Sequence, residues 1–200
     1  MHSTEDFVLQ IVTYPHPTLR HQSKPIKRVD AELRQIVREM FDLMYANHGI
    51  GLAANQVDLP LRLFVMNLEG ERGKGEEFVF FNPVTSHPKG TDEQEEGCLS
   101  LPELYEPVVR PKRVRVHAFG IDGQEMIVDA EGMFARCVQH EIDHLDGVLF
   151  IDRVNPVLVT EMEPALADFE AEFRRRRETG GIPSDGEIAA RLREWELRYC

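Results

Sequence analysis

Two histidines four residues apart, with a glutamate directly after the first, constrain this chain more than any other feature. Arg136 to Gly147 reads RCVQHEIDHLDG, which places His140, Glu141 and His144 in one short stretch. On a helix the two imidazoles stand one turn apart on one face, close enough to grip a single ion, and Glu141 projects about 60° further round from His144. Met133, Phe134, Cys137, Val138, Glu141 and Leu145 fall near i, i+3, i+4 spacing and Gly147 supplies a stop, so the stretch predicts a helix. A surface helix carries such a pattern by chance. As a metal clamp, it demands a third ligand and a fold that delivers it.

A tetrahedral catalytic site takes three protein ligands and leaves one position for water. Downstream, one class of zinc protease has a third histidine six residues past the second, but position 150 here is Phe. A later glutamate is the other protease solution, and Glu161, Glu163, Glu170 and Glu172 are available on what reads as a charged helix. Upstream, Glu96-Gly97-Cys98-Leu99-Ser100 offers a thiolate in a turn-like setting after the acidic run TDEQEE. Cys98 is the strongest single candidate, because the chain has only three cysteines. A protease reading makes Cys98 dispensable and a downstream glutamate essential. A closed, structural metal site is the non-enzyme alternative and makes Glu141 replaceable by Gln.

Two hundred residues with 42% hydrophobic content suffice for one compact core with an appendage, not for two large domains. Three cysteines make no disulfide framework, and neither a leader segment nor an apolar run of membrane length is apparent, so the chain reads as cytoplasmic and reduced. A formal charge of −12 argues against broad binding of nucleic acid through the whole surface and leaves room for a local basic patch.

In chain order, Phe7 to Val12 predicts a short strand. Tyr14 to Arg20 carries two prolines in three residues, which argues against regular structure, with His16 and His21 as surface loop residues. Asp30 is the expected N-cap of a helix whose stripe Leu33, Ile36, Val37, Met40, Phe41 and Met44 faces the core and which ends near Gly49. Gly49 to Gln56, GIGLAANQ, reads as a tight helix-to-strand connection; Gln56 gains meaning if its amide reaches the metal site, as a donor to a developing oxyanion. A strand over 61–68, a Gly- and charge-rich hairpin loop over 69–77, strands at 108–109 and 113–118, and an Asp-Gly turn into 125–128 then lead to the metal helix. Beyond Pro156 a helix carries Leu158, Met162, Leu166 and Phe169 up to Arg174–Arg177, Gly180–Pro183 is a linker, and Asp185 caps a last helix.

Three separated motifs, GIGLAANQ at 49–56, EGCLS at 96–100 and QHEIDH at 139–144, together resemble peptide deformylase, and YPHPTLR at 14–20 resembles that family's N-terminal segment. The resemblance covers roughly residues 7–155, so the expected division is a catalytic domain over 1–155 and a helical C-terminal extension over 156–200. It implies an α+β fold with mixed and antiparallel strands around a central metal-binding helix. It also implies removal of the formyl group from the N-terminal formyl-methionine of new polypeptides.

By the same resemblance, Cys98, His140 and His144 hold one divalent ion, Fe²⁺ in the native state, with Zn²⁺ or Ni²⁺ able to take the same ligands. Water at the open position is activated by the ion, with Glu141 as general base and then general acid. The Gln56 side chain and the Leu99 backbone N–H are implied oxyanion donors. Ile50, Glu96, Met133 and Cys137 are implied to line the pocket for the methionine side chain, with Gly51 and Gly97 offering backbone groups to the peptide. Many bacterial members carry Arg where Tyr105 stands here, which implies different contacts beyond the first substrate residue. The family's C-terminal helix is associated with the ribosome, and the cations Arg174 to Arg177 suggest a contact with ribosomal RNA; the alternative is a solvated helix end whose arginines favour the C-terminal dipole.

Overall fold

The computed structural model describes residues 9–200. It contains four α-helices and seven strands: α1 (Ala31–Ala46), β1 (Gly51–Ala53), β2 (Leu63–Met66), β3 (Phe78–Lys89), β4 (Asp92–Cys98), β5 (Leu101–Arg110), β6 (Arg113–Phe119), β7 (Glu125–Glu131), α2 (Gly132–Leu145), α3 (Pro156–Glu178) and α4 (Asp185–Tyr199). The strands form a five-stranded sheet in the order β1-β2-β3-β6-β7 and a separate β4-β5 ribbon, antiparallel throughout. No helix among the described residues is long and apolar enough to cross a membrane.

β2 explains the layering. All four of its residues, Leu-Phe-Val-Met, are buried, and because successive side chains point to opposite faces, each face needs its own cover. Leu63 and Val65 pack with the α1 stripe Leu33, Ile36, Met40 and Met44. Phe64 and Met66 face the other way, onto Val138, Ile142 and Leu145 of α2. The sheet edge that carries β1 is thus sandwiched between the two helices, and α2 is a buried helix held beneath the sheet. Asp30 caps α1 as its position predicts, accepting the Leu33 N–H at 2.9 Å.

Several local expectations are corrected. Residues 9–12 form no strand, and Phe7 and Val8 lie outside the described residues. The proline segment does contain regular structure, a 3-10 turn at Pro17–Arg20, because Pro17 sits where a turn leaves N–H groups unbonded anyway. His16, expected at the surface, is the buried N-cap of that turn. The acidic run belongs to strand β4, paired along its length with β5, and the turn expected after it falls at Leu99 and Ser100. α4 is capped by Ser184, one residue before the expected Asp185, in a reciprocal box with Glu187.

Four apolar clusters divide the interior. Tyr199, the penultimate residue, belongs to the same cluster as the α1 stripe. Ile182, Ile188 and Leu192 pack with Phe173 to close α3 and α4 into a hairpin.

Candidate metal centre and active site

α2 presents His140 and His144 as the helical spacing requires, with their Nε2 atoms 3.2 Å apart. Cys98 arrives from the end of β4, where the pairing with β5 slips and the chain turns through Leu99 and Ser100. Its Sγ lies 3.2 Å from His144 Nε2. The three donor atoms all lie within 4.8 Å of one another. Bonds of about 2.0–2.1 Å to nitrogen and about 2.3 Å to sulfur around a tetrahedral ion put neighbouring donors roughly 3.3–3.6 Å apart. The two separations from His144 Nε2, 3.2 Å each, fall just below that range, so the donor set fits one ion. Glu161, Glu163, Glu170 and Glu172 lie on α3 and supply no atom to this cluster.

Around the donors stands a shell that spacing alone did not reveal. Glu96 accepts from His140 Nδ1 at 3.1 Å, from Arg110 at 2.6 and 2.9 Å, and from Arg136 at 2.5 Å. Arg110 also reaches Asp143 at 2.7 Å, and Arg153 completes the chain of charges on Asp143. This network ties α2 to the β4-β5 ribbon that carries Cys98. It also fixes the His140 tautomer, because Nδ1 donating to a carboxylate turns the Nε2 lone pair toward the cluster. Arg136 carried one signal that sequence reading overlooked: it is a charge set between the buried Ala135 and Cys137, which is tolerated only with partners.

The electrostatics follow from burial. Burial raises the Glu96 carboxyl, but hydrogen bonds from His140 and Arg110 overcome it and hold the group at about 2. Burial disfavours a cationic His140, yet hydrogen bonds to Cys98 and Glu96 raise its value to about 10. His144, buried and repelled by His140, is lowered well below the ordinary range, and its Nδ1 has no partner among the described residues. An ion entering this cluster must therefore displace a proton. Burial pushes Glu141 up to about 7, with His140 and Arg110 opposing. Glu141 Oε2 is buried and unpartnered among the described residues.

Glu141 is seated against a glycine for a steric reason. A Cβ on Gly51 would lie 2.4 Å from Glu141 Oε1 and 2.9 Å from Cys137 Sγ. Cys137 Sγ in turn lies 3.8 Å from the Ile50 carbonyl oxygen, so Ile50, Gly51, Cys137 and Glu141 meet. Met133 stands one turn before Cys137, half exposed at the start of α2. Gln56 sits on a 3-10 turn (Ala54–Val57), its Oε1 accepting from the Ala53 N–H at 2.8 Å and its Nε2 directed to Cys98 Sγ at 3.4 Å and Ser100 Oγ at 3.2 Å. Leu99 packs over Gly49, its Cδ1 filling the space a Cβ there would need. Gly97 is covered by Tyr105, whose ring would stand 2.4 Å from an added Cβ, while the rest of that side chain is exposed.

The model of the polypeptide deformylase family matches residues 8–159. A peptide deformylase of Rhodopirellula baltica is 48% identical over 191 residues, 96% of this chain and 95% of its own length. A peptide deformylase of Acinetobacter baumannii is 46% identical over 151 residues, 75% of this chain and 85% of its own. Among solved structures, a plant peptide deformylase PDF1B superimposes with a TM-score of 0.81 at 40% identity, covering 92% of this chain and 98% of that one. A peptide deformylase from Legionella pneumophila gives 0.76 at 38% identity, covering 84% and 98%.

Proposed function

Since this chain belongs to the polypeptide deformylase family and removes the N-terminal formyl group from new polypeptides, we propose that Cys98, His140 and His144 hold its metal ion and that Glu141 moves the proton. The observation that carries this reading is the convergence of one sulfur and two imidazole nitrogens within 4.8 Å, from two elements far apart in sequence. Thiolate and imidazole donors suit Fe²⁺, Zn²⁺ and Ni²⁺, and the family resemblance favours Fe²⁺ in the cell. When bound, the ion polarises the formyl carbonyl and makes a water at its open position acidic.

The chain's own residues then have separate tasks. Glu141 accepts the proton of the attacking water, with Oε2 free to take it, and returns that proton to the departing amine as the C–N bond breaks. Its value of about 7 suits a group that must do both near neutrality. Gln56 Nε2 and the Leu99 backbone N–H donate to the oxygen that gains charge; losing one such donor typically costs about 10²–10³ in turnover. Glu96 is a positioning residue, holding His140 in the tautomer that offers Nε2. Ile50, Met133 and Cys137 form the apolar wall for the methionine side chain, and Gly51 and Gly97 offer backbone groups to the peptide. The exposed Tyr105 stands beside Gly97, where contacts with later substrate residues are expected.

We place the enzyme in the cytoplasm, with nascent chains as its substrates. A ribosome contact through Arg174–Arg177 has weaker support: Arg174 lies 3.7 Å from Glu170, Arg175 pairs with Glu172, and Arg177 with Asp185. Much of that positive charge is therefore offset locally.

X-ray absorption of the Fe²⁺-loaded protein, prepared without oxygen, tests the ligand set. The expected first shell contains one sulfur and two imidazole nitrogens, and Cys98→Ala removes the sulfur. A sulfur shell that survives Cys98→Ala would reassign the ligand.

A further inference from the structure

We infer that the C-terminal helix α4 positions Gln56, through a clamp of Arg191 on Asp58, and so takes part in the reaction from outside the catalytic motifs. The inference rests on the reading of Gln56 as an oxyanion donor. The 3-10 turn that carries Gln56 is only four residues long and has few bonds of its own. The Asn55 side chain ties its middle to the His144 carbonyl oxygen, and the rest of its orientation depends on what holds its ends. At the N-terminal end Gln56 itself is tied to Ala53, and its carbonyl oxygen accepts the Val12 N–H at 2.8 Å.

At the C-terminal end stands Asp58, with φ +64°, in the left-handed region. A residue with a Cβ enters that region reluctantly, although Asp tolerates it better than most, and it stays there when its surroundings over-determine it. Asp58 is so determined. Its Oδ1 accepts from the Thr18 hydroxyl and lies 4.0 Å from His16 Nδ1, and its Oδ2 pairs with the Arg191 guanidinium. Asp58 is buried, and the Arg191 side chain is largely so.

Arg191 can act as an anchor because α4 is itself fixed at its far end. Glu196 pairs with His21 at 2.8 Å and Lys24 at 2.7 Å. The Tyr199 carbonyl oxygen accepts the Lys27 N–H at 2.8 Å, and the Tyr199 hydroxyl reaches Asp30 and Glu32 at the start of α1. One rigid helix thus runs from the cap of α1 to the residue two positions after Gln56. Residues 156–200 carry no catalytic motif, and this contact gives their second helix a part in the chemistry.

Steady-state turnover of formyl-Met-Ala-Ser tests the clamp with Asp58→Asn, Arg191→Met, Gln56→Ala and the double variant Gln56→Ala/Asp58→Asn, with bound metal and thermal midpoint recorded for each. Asn keeps the shape and the left-handed tolerance of Asp58 while removing its charge, and Met keeps the apolar stem of Arg191. The expected result is a kcat lowered about 10-fold in Asp58→Asn and in Arg191→Met, with KM and metal content unchanged, since misplacement by about 1 Å can cost up to 10². Gln56→Ala loses more, and adding Asp58→Asn to it costs nothing further. A merely structural role predicts the opposite, a loss from Asp58→Asn that persists in full without Gln56, and that result overturns the inference, as does wild-type kcat in both single variants. If Gln56→Ala alone turns over like wild type, the oxyanion reading has failed and the clamp has no target. That outcome is distinct from additive losses, which sink the clamp and leave Gln56 its role.

Discussion

Glu96 shows how much of this site lies one step behind its three clustered donors. Its carboxylate holds His140 and two buried arginines at once, so it orients one of the clustered imidazoles and neutralises a charged interior. Glu96→Gln keeps the volume and one acceptor but leaves Arg110 and Arg136 under-compensated. Metal affinity is expected to fall about 10- to 100-fold, and stability by about 3–5 kcal/mol, as for a buried pair that loses one partner. Chelator competition and urea unfolding measure the two effects; a variant with unchanged metal affinity would remove Glu96 from the site. The three clustered donors were legible in sequence, because His140 and His144 announce their shared face by spacing and Cys98 is one of only three cysteines. The partners of Glu96 were not legible. A glutamate in an acidic run looks solvated until Arg110, 14 residues away, and Arg136, 40 residues away, are seen to close on it.

α4 is the element whose role was least visible beforehand. Its boundaries were nearly readable, since Ser184 and Glu187 form a capping box, but its docking depends on partners more than 160 residues away. His16 escaped for a similar reason: proline-flanked in sequence, it is buried only because Asp58 and the C-terminal hairpin fold over it. The docking predicts a pH dependence. Burial raises Glu196, but Lys24 and His21 overcome it and hold the carboxyl below its usual 4.5. Asp30 is likewise lowered, chiefly by the Leu33 N–H. Carboxyls depressed on folding give their stability in full above the unfolded value and lose it as the pH falls through the folded one. Trp195, the single tryptophan, stacks on Tyr199 and reports this docking. Its emission is expected to hold steady from neutral pH to about 4.5 and to change below it, with Glu196→Gln flattening that acid limb. A transition centred above pH 6 in the wild type would assign the docking to other groups.

At the scale of the whole molecule, the fold's task is to bring three short stretches together over one buried helix. β1 and the turn after it supply Gly51 and Gln56, the β4-β5 ribbon supplies Glu96 and Cys98, and α2 supplies both histidines and Glu141. The central helix was readable because α2, like α1 and β2, carries a clear apolar pattern, whereas the α+β class came from the family resemblance. The convergence was not readable from periodicity, since the slip in pairing at Cys98 does not follow from local preference. The family resemblance supplied it. On the proposed reading, holding the ion and moving the proton are separate tasks, because Glu141 is not among the three clustered donors and its carboxylate lies against Gly51. The most direct test is formate release from formyl-Met-Ala-Ser by Fe²⁺-loaded Glu141→Gln and wild type without oxygen, with bound metal counted in both. The expected result is a full complement of metal in Glu141→Gln and turnover lowered by at least about 10², the lower range for a lost general acid–base. A Glu141→Gln variant that keeps its metal and turns over at the wild-type rate would contradict the account.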